Sequence, residues 1–277
     1  TQNNFQVNGV DANTMGTSSA INVAVPAPET LQEFKVQTLL FDSAFGRSGG
    51  GNVQIVTKSG GNEFHGSAYE YFRNDVLDAN NPFLKGAGIG RPLLKRNVYG
   101  GVLGGPIKTS VAHFFVSYQG TREQNGASLL NSISSGVLVA EGLTNDRSEQ
   151  TLLRTFRPRL PNGQLATAID PVALSLLNAR FPSGQFLIPT PQSNGRYFGA
   201  STSRFREDQW NANLDYQVSK SNWFTLKMFV ANAPGFLALP SFKGTGPNVP
   251  GFGADQRNDV RIISIQDVHS LTPNISN

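Results

Sequence analysis

Residues Glu29 to Arg73, ETLQEFKVQTLLFDSAFGRSGGGNVQIVTKSGGNEFHGSAYEYFR, change their pattern part-way along. Phe34 to Thr38 alternates as a strand, Ala44 to Gly51 is rich in turn residues, and Asn52 to Lys58 is a second strand. To this point the stretch has the pattern of a compact unit in water. After Gly60-Gly61 it becomes an alternating strand tipped with aromatics, Phe64 to Arg73. The glycine pair is read as a hinge between two parts that meet different solvents.

Composition fits strands with two unlike faces. Of 277 residues, 38% are hydrophobic and only 15% charged, yet mean hydropathy is −0.25. Abundant Gly, Asn, Ser, Thr and Gln account for that value, and such a polar but uncharged chain suits a barrel wall. A soluble sandwich is also compatible. Net charge is +4, but the basic residues are scattered and do not interleave with aromatics, so no nucleic-acid patch is read. The absence of Cys excludes disulfides, Cys-based zinc sites and a Cys nucleophile. No stretch approaches the roughly 18 apolar residues of a membrane helix. Thr1 follows no Met or charged-then-apolar leader. The expectation is therefore a piece of a longer chain, and any membrane crossing would be by strands.

Upstream, Phe5 to Val7 reads as a strand ending in an Asn8-Gly9 turn. Asn13 to Ala20 is a polar loop, and Val23 to Pro28 is held extended by its prolines. Thr30 is expected to cap a helical turn over Leu31 to Phe34. Gly46, Gly49, Gly50 and Gly51 permit close backbone approach around Arg47. A phosphate loop would need a Gly-Lys-Ser/Thr ending and a following helix, and neither is present. Lys85 to Gly90, KGAGIG, fails for lack of a leading strand.

Six segments invite a test for transmembrane strands, which need about 9–11 residues with alternating faces. Val111 to Glu123 places Ala112, Phe114, Val116 and Tyr118 opposite His113, Phe115, Ser117, Gln119 and Thr121. Arg206 to Ser219 sets Trp210, Ala212, Leu214, Tyr216 and Val218 against Gln209, Asn211, Asn213, Asp215 and Gln217. Ser221 to Asn232 opposes Phe224, Leu226, Met228 and Val230 to Thr225 and Lys227. Phe64 to Arg73 and Arg96 to Pro106 are strands with ambiguous faces. Asp259 to Leu271 changes phase near Ile262-Ile263, which suggests a bulge or a displaced boundary.

The connections between these segments alternate strictly in length. Long ones, about 74–95, 124–205 and 233–258, are separated by short turns at 108–110, Lys220 and 272–274. Barrels of the outer membrane keep this parity, with short periplasmic turns and long extracellular loops. A sandwich has no reason to. Within the longest loop, Asp170-Pro171 opens a helix that Pro182 ends, and Ser148 caps a second through Leu153.

Gln6 to Thr14 (QVNGVDANT), ETLQEFKVQT, FGRSGGGNVQIVTKSGGNEFHGSAYEYFRND and Arg96 to Ile107 (RNVYGGVLGGPI) together resemble TonB-dependent outer-membrane receptors of the Oar-like branch, which carry carboxypeptidase-regulatory-like domains. The likeness runs from Gln6 to about Arg122 and resumes at Asp208 to Val218 and Val268 to Asn274. It implies a mainly β fold: the end of a plug domain, residues 1–62, then about six antiparallel strands of an incomplete transmembrane β-barrel, residues 63–277, with short helices in a long loop. The TonB box, the regulatory domain and most of the barrel are not in this stretch. The resemblance implies energised uptake in the outer membrane of a Gram-negative bacterium, without enzymatic chemistry. TonB would pull on the plug, outer-membrane lipid would surround the wall, and an extracellular ligand would meet the loops and apical plug turns. Arg47, Gly49, Gly50 and Gly51 form the plug motif, where Arg47 is placed to pair with wall carboxylates. Gln119, Asn211, Asn213 and Asp215 are candidate lumen-facing residues.

No cofactor, metal or catalytic residue is assigned. His65, His113 and His269 lie on different strands, and Glu70, Asp75 and Asp78 are better read as solvated or paired with Arg73 than as an acid/base pair. Trp210, Trp223, Tyr118, Tyr216, Phe72 and Phe224 suit interfacial girdles, with core packing as the alternative. Two rival functions stand beside transport. A surface adhesin would lose binding, but not uptake, on deletion of 124–205. A soluble carbohydrate-active β-sandwich would fold at this length around a convergent carboxylate pair.

Overall fold

Asn8 and Gly9 both take positive φ, 51° and 80°, which turns strand β1 (Asn4–Val7) directly into β2 (Val10–Asp11). This is the two-residue hairpin that Asn-Gly favours. The computed structural model describes residues 3–13, 25–38, 50–80, 82–86, 90–126, 137–193, 195–197, 202–237, 253–272 and 275–276. Pro28–Thr30 forms a single 3-10 turn, and β3 (Leu31–Gln37) follows at once. The helical turn expected over Leu31 to Phe34 is thus absent. Proline suits the start of the earlier turn, Leu31–Gln37 is claimed by pairing with β4 (Asn52–Thr57), and the buried Thr30 hydroxyl donates to Ser117 instead of capping. The small sheet has the order β2-β1-β4-β3, with β1 and β4 parallel.

The chain then leaves this sheet past Gly60. A Cβ there would collide with the backbone of Phe114 and Gly105, so only glycine lets the strand-to-strand crossing lie so close. The hinge read from Gly60-Gly61 is a close approach.

Beyond it, six long strands form one antiparallel meander. They are β5 (His65–Asn74), β6 (Leu94–Lys108), β7 (Ala112–Asn125), β10 (Ser203–Ser219), β11 (Asn222–Leu237) and β12 (Ala254–Thr272). The short helix α1 (Pro82–Gly86) lies between β5 and β6. The connection after β7 holds β8 (Val137–Leu138), α2 (Glu149–Phe156), α3 (Pro171–Asn178) and β9 (Arg196–Tyr197). With β13 (Ile275–Ser276) the sheet order is β13-β12-β11-β10-β7-β6-β5, an open sheet with edges at β5 and β13. Long and short connections alternate as expected. The ladder nevertheless runs further at the long-loop end than the lipid-facing pattern indicated, beginning at Leu94, Ser203 and Ala254 and ending at Asn125 and Leu237. Past the apolar band the strands stay paired but become polar, so a test based on apolar alternation stops early.

β12 corrects a second expectation. Its pairing with β11 is unbroken from His269↔Asn222 to Ala254↔Leu237, so there is no bulge at Ile262-Ile263. Ile262 is 7% exposed and Ile263 60% exposed, in regular alternation. Both faces are apolar here because the inner one is covered. No helix among the described residues is long and apolar enough to cross a membrane, a fact without bearing on crossing by strands.

Candidate functional site

One face of the large sheet carries the side chains that hold the small sheet. Val7, Val53 and Ile55 of the small sheet share a buried centre with Phe229, Ala231 and Ile262 of β11 and β12. Around this apolar centre, the wall's side chains bond across the interface, often to backbone carbonyls. Gln209 Nε2 donates to Val25 O at 3.1 Å, and Lys227 Nζ to Thr57 O at 2.9 Å. Asn213 Nδ2 reaches Thr57 Oγ1 at 2.9 Å and Lys58 O at 2.6 Å. Ser264 Oγ donates to Asn8 O at 3.0 Å, and Thr30 Oγ1 to Ser117 Oγ at 2.8 Å. Where the two parts join, Asn62 Oδ1 receives the Ser110 amide at 2.7 Å and lies 2.8 Å from His113 Nε2, which sets the tautomer with hydrogen on Nε2. Such a surface satisfies backbone groups that would otherwise be stranded in the interior.

The residues anticipated as lumen-facing fall on this face but have different surroundings. Gln119 Oε1 accepts from the Tyr69 hydroxyl at 3.0 Å, and Asp215 Oδ1 from the Thr225 hydroxyl at 2.9 Å. Asn213 is locked to the small sheet. Asn211 is only 3% exposed, and neither of its amide atoms has a hydrogen-bond partner among the described residues. In the glycine turn, the Gly51 amide donates to Asn3 Oδ1 and its carbonyl accepts from the Asn4 amide, both at 2.9 Å. Gly50 is a bend, while Arg47 and Gly49 lie outside the described residues. Thr30, Thr57 and Lys227 were missed as contact residues. Lys227, a lone cation mid-strand opposite apolar neighbours, was the one legible signal.

The other polar candidates resolve into local pairs. Arg73 bridges to Asp78 at 3.2 Å, Asp75 accepts from the Leu94 amide, and His65 Nδ1 lies 3.1 Å from Glu63 O. Among the described residues no three His, Asp or Glu converge as a metal site. On the outer face the Tyr118 and Trp210 rings lie 4.3 Å apart between centres, tilted by 44°, and Tyr216 pairs across from Phe224. Trp223 departs from this set, because it opposes Gln217 in the register of the inner face.

The long connection is a built unit. Ser148 and Asp170 cap α2 and α3 as expected, the latter accepting from the Val172 and Ala173 amides. Arg147, 2% exposed, donates to Thr144 O, Leu177 O and Thr190 Oγ1. Its guanidinium lies 3.7 Å from the Phe186 ring centre, and that of Arg180 lies 3.6 Å from it. Burial, then the nearby Arg180 charge, lowers the Arg147 pKa. Burial raises that of Tyr197. A cavity of about 410 Å³ is lined by Arg180, Gln185, Phe186, Thr190 and Tyr197. The self-similar stretches Arg159 to Leu165 (RLPNGQL) and Arg180 to Phe186 (RFPSGQF) fold into matching turns, each with its Arg bonded to the Gly carbonyl. That repeat is legible in the sequence.

Residues 56–277 match the family model described as outer membrane beta barrel domain, which takes in every long strand. The chain belongs to that family. Its location is the outer membrane of a Gram-negative bacterium. Over 135 residues, 45% of the chain, it is 30% identical to the TonB-dependent transporter Oar of Myxococcus xanthus and spans 12% of that protein. It is also similar to the siderophore receptor PirA from Acinetobacter baumannii, with a TM-score of 0.41 and 14% identity, over 97% of this chain and 37% of that one. The two named relatives are a transporter and a siderophore receptor.

Proposed function

We propose that residues 1–62 are the end of a plug and residues 63–277 the first strands of the barrel around it, in a TonB-dependent receptor. The whole protein would then take up a ligand across the outer membrane. The observation that carries this reading is the docking of the four-stranded sheet on the inner face of β7 and β10–β12. The contact has a small apolar centre and a surround of hydrogen bonds, each worth about 1 kcal/mol net. An interface of that kind closes a lumen yet yields to a directed pull. TonB, driven by the inner-membrane proton gradient, would supply it. The ligand would be met first by the long connections, and Gln119, Asn211, Asn213 and Asp215 would line the path once the plug shifts. No bond is made or broken in the ligand, so the role is non-enzymatic.

The test is conductance of the full-length protein in planar bilayers, with and without the segment equivalent to 1–62. Closed channels that open on its removal are the expected result. Equal conductance in both forms would overturn the plug reading and leave the adhesin role as the better account.

A further inference from the structure

We propose that the cavity between Arg180, Phe186 and Tyr197 in the long connection binds an organic carboxylate carried on a flat apolar body. The site gives the receptor reading a ligand class and rests on that reading for its part in uptake. Binding itself requires only the folded connection, not the plug or TonB.

The two self-similar turns separate what belongs to a turn from what belongs to a site. Arg159 Nη1 donates to Gly163 O at 2.7 Å and Arg180 Nη1 to Gly184 O at 2.8 Å, so that bond is common to both. Each turn is also closed by a backbone pair, Leu160 N to Gln164 O and Phe181 N to Gln185 O, both at 2.8 Å. The copies part at their last residue. Leu165 is exposed, whereas Phe186 is half-buried and carries the guanidiniums of Arg147 and Arg180 on its ring. The cavity of about 410 Å³ opens at this second turn.

Charge selects the ligand. Arg147 and Arg180 set two like charges on one ring, and neither has a carboxylate partner among the described residues. Arg147 is bonded to neutral acceptors, Thr144 O, Leu177 O and Thr190 Oγ1, and no Asp or Glu lines the cavity. Two guanidiniums so placed repel each other, and a bound anion relieves the repulsion. Arg180 spends one donor on Gly184, and the rest of its fork has no acceptor among the described residues. Burial raises the Tyr197 pKa, so its hydroxyl stays protonated and able to donate. Asn145 Oδ1 accepts from the Thr190 hydroxyl at 2.6 Å, which leaves the amide hydrogens of Asn145 to donate. Guanidinium, phenol and amide thus surround one space, and an arginine fork matches the two oxygens of a carboxylate. Phe181, Phe186 and Pro189 supply apolar walls, and the volume is that of a small-molecule site. A bare anion would leave those walls wet, and a neutral body would leave the arginines unpaired.

The experiment measures 2-naphthoate binding to the full-length protein in nanodiscs by equilibrium dialysis, with empty nanodiscs correcting for partition into lipid. The comparison probes are 2-naphthamide, which lacks the charge, and inorganic phosphate, which lacks the body. Naphthoate should bind saturably, the amide at least about tenfold more weakly, and phosphate should not displace it. Arg180→Gln should weaken binding about ten- to a hundredfold, the range for a charge-assisted hydrogen bond, and Tyr197→Phe severalfold. Arg159→Gln removes the matching arginine of the first turn and should change nothing. Hydrogen exchange at the Leu187 amide, which donates to Ala179 O at 2.8 Å, reports that the second turn is intact. Should Arg180→Gln lose that protection, Tyr197→Phe decides in its place. Equal binding of the amide, full displacement by phosphate, an equal loss in Arg159→Gln, or undiminished binding by the intact Arg180 or Tyr197 variant would overturn the proposal. Naphthoate binding without uptake would count against the transport reading alone, and closed channels without naphthoate binding against this site alone.

Discussion

Strands β10 and β12 lie on either side of β11 and solve the same problem differently. On β10 the inner residues are polar, Gln209, Asn211, Asn213 and Asp215, and the outer ones apolar, Trp210, Ala212 and Leu214. On β12 the inner Val260 and Ile262 are as apolar as the outer Ile263 and Ile265. The difference lies in what covers the inner face. The small sheet sets Val7, Val53 and Ile55 against Phe229, Ala231 and Ile262 of β11 and β12, with carbonyls only at Lys227 and Ser264, whereas against β10 it presents carbonyls and a hydroxyl. Inner-face polarity therefore maps the partner, not the strand.

Four measurements would break or sharpen that contrast, the first three by urea unfolding of the full-length barrel in micelles. Phe229→Ala, at the shared centre and 1% exposed, should cost about 3–5 kcal/mol. A cost below about 1 kcal/mol would mean the centre is not packed as described. Leu214→Arg, on the outer face of β10, should cost about 2–4 kcal/mol if that level is near the bilayer midplane. No penalty there would deny the outer face its lipid. Within β10, Asn213→Leu strands two bonded groups and should cost about 1–3 kcal/mol. Asn211→Leu removes an unpaired buried amide and should be neutral or stabilising. Equal effects would erase the distinction drawn between the two.

The smallest effect lies in the long connection. The Thr151 hydroxyl and the Ser148 backbone amide hold the Asp146 carboxyl below the usual aspartate value. A depressed folded pKa means that stability is present above the ordinary aspartate pKa, near 3.9, and lost as pH falls through the lowered value. Amide exchange at Ser148 and Thr151 should therefore quicken only in that acid window. Exchange independent of pH beyond its intrinsic dependence would remove Asp146 from the cap of α2.

Much of the fold was legible because barrel strands obey a local rule. Alternation along 206–219 and the strict parity of connections each follow from two solvents and two sides of a membrane. The helix caps Ser148 and Asp170 were legible for the same reason, since a cap is decided within three residues. What failed was the reading that needed a partner. The sequence places Thr30 at the cap of its own turn, yet its hydroxyl serves Ser117, 87 positions away. Alternation along 259–271 suggests a bulge or a displaced boundary at Ile262-Ile263, because the sequence does not show what covers the inner face.

The sequence by itself determined the middles of the six long strands, the two faces of β7, β10 and β11, which ends carry long connections, and that the sheet changes past Gly60. These depend on neighbours within a few residues, so the chain spells them out. Only the tertiary structure decided that Asn213 and Lys227 hold the small sheet while Asn211 stays unpaired. It also decided that Arg122 and Arg206 share Asp208. Those outcomes depend on which carbonyl, ring or carboxylate arrives from a distant strand, and strand register over the whole sheet sets that.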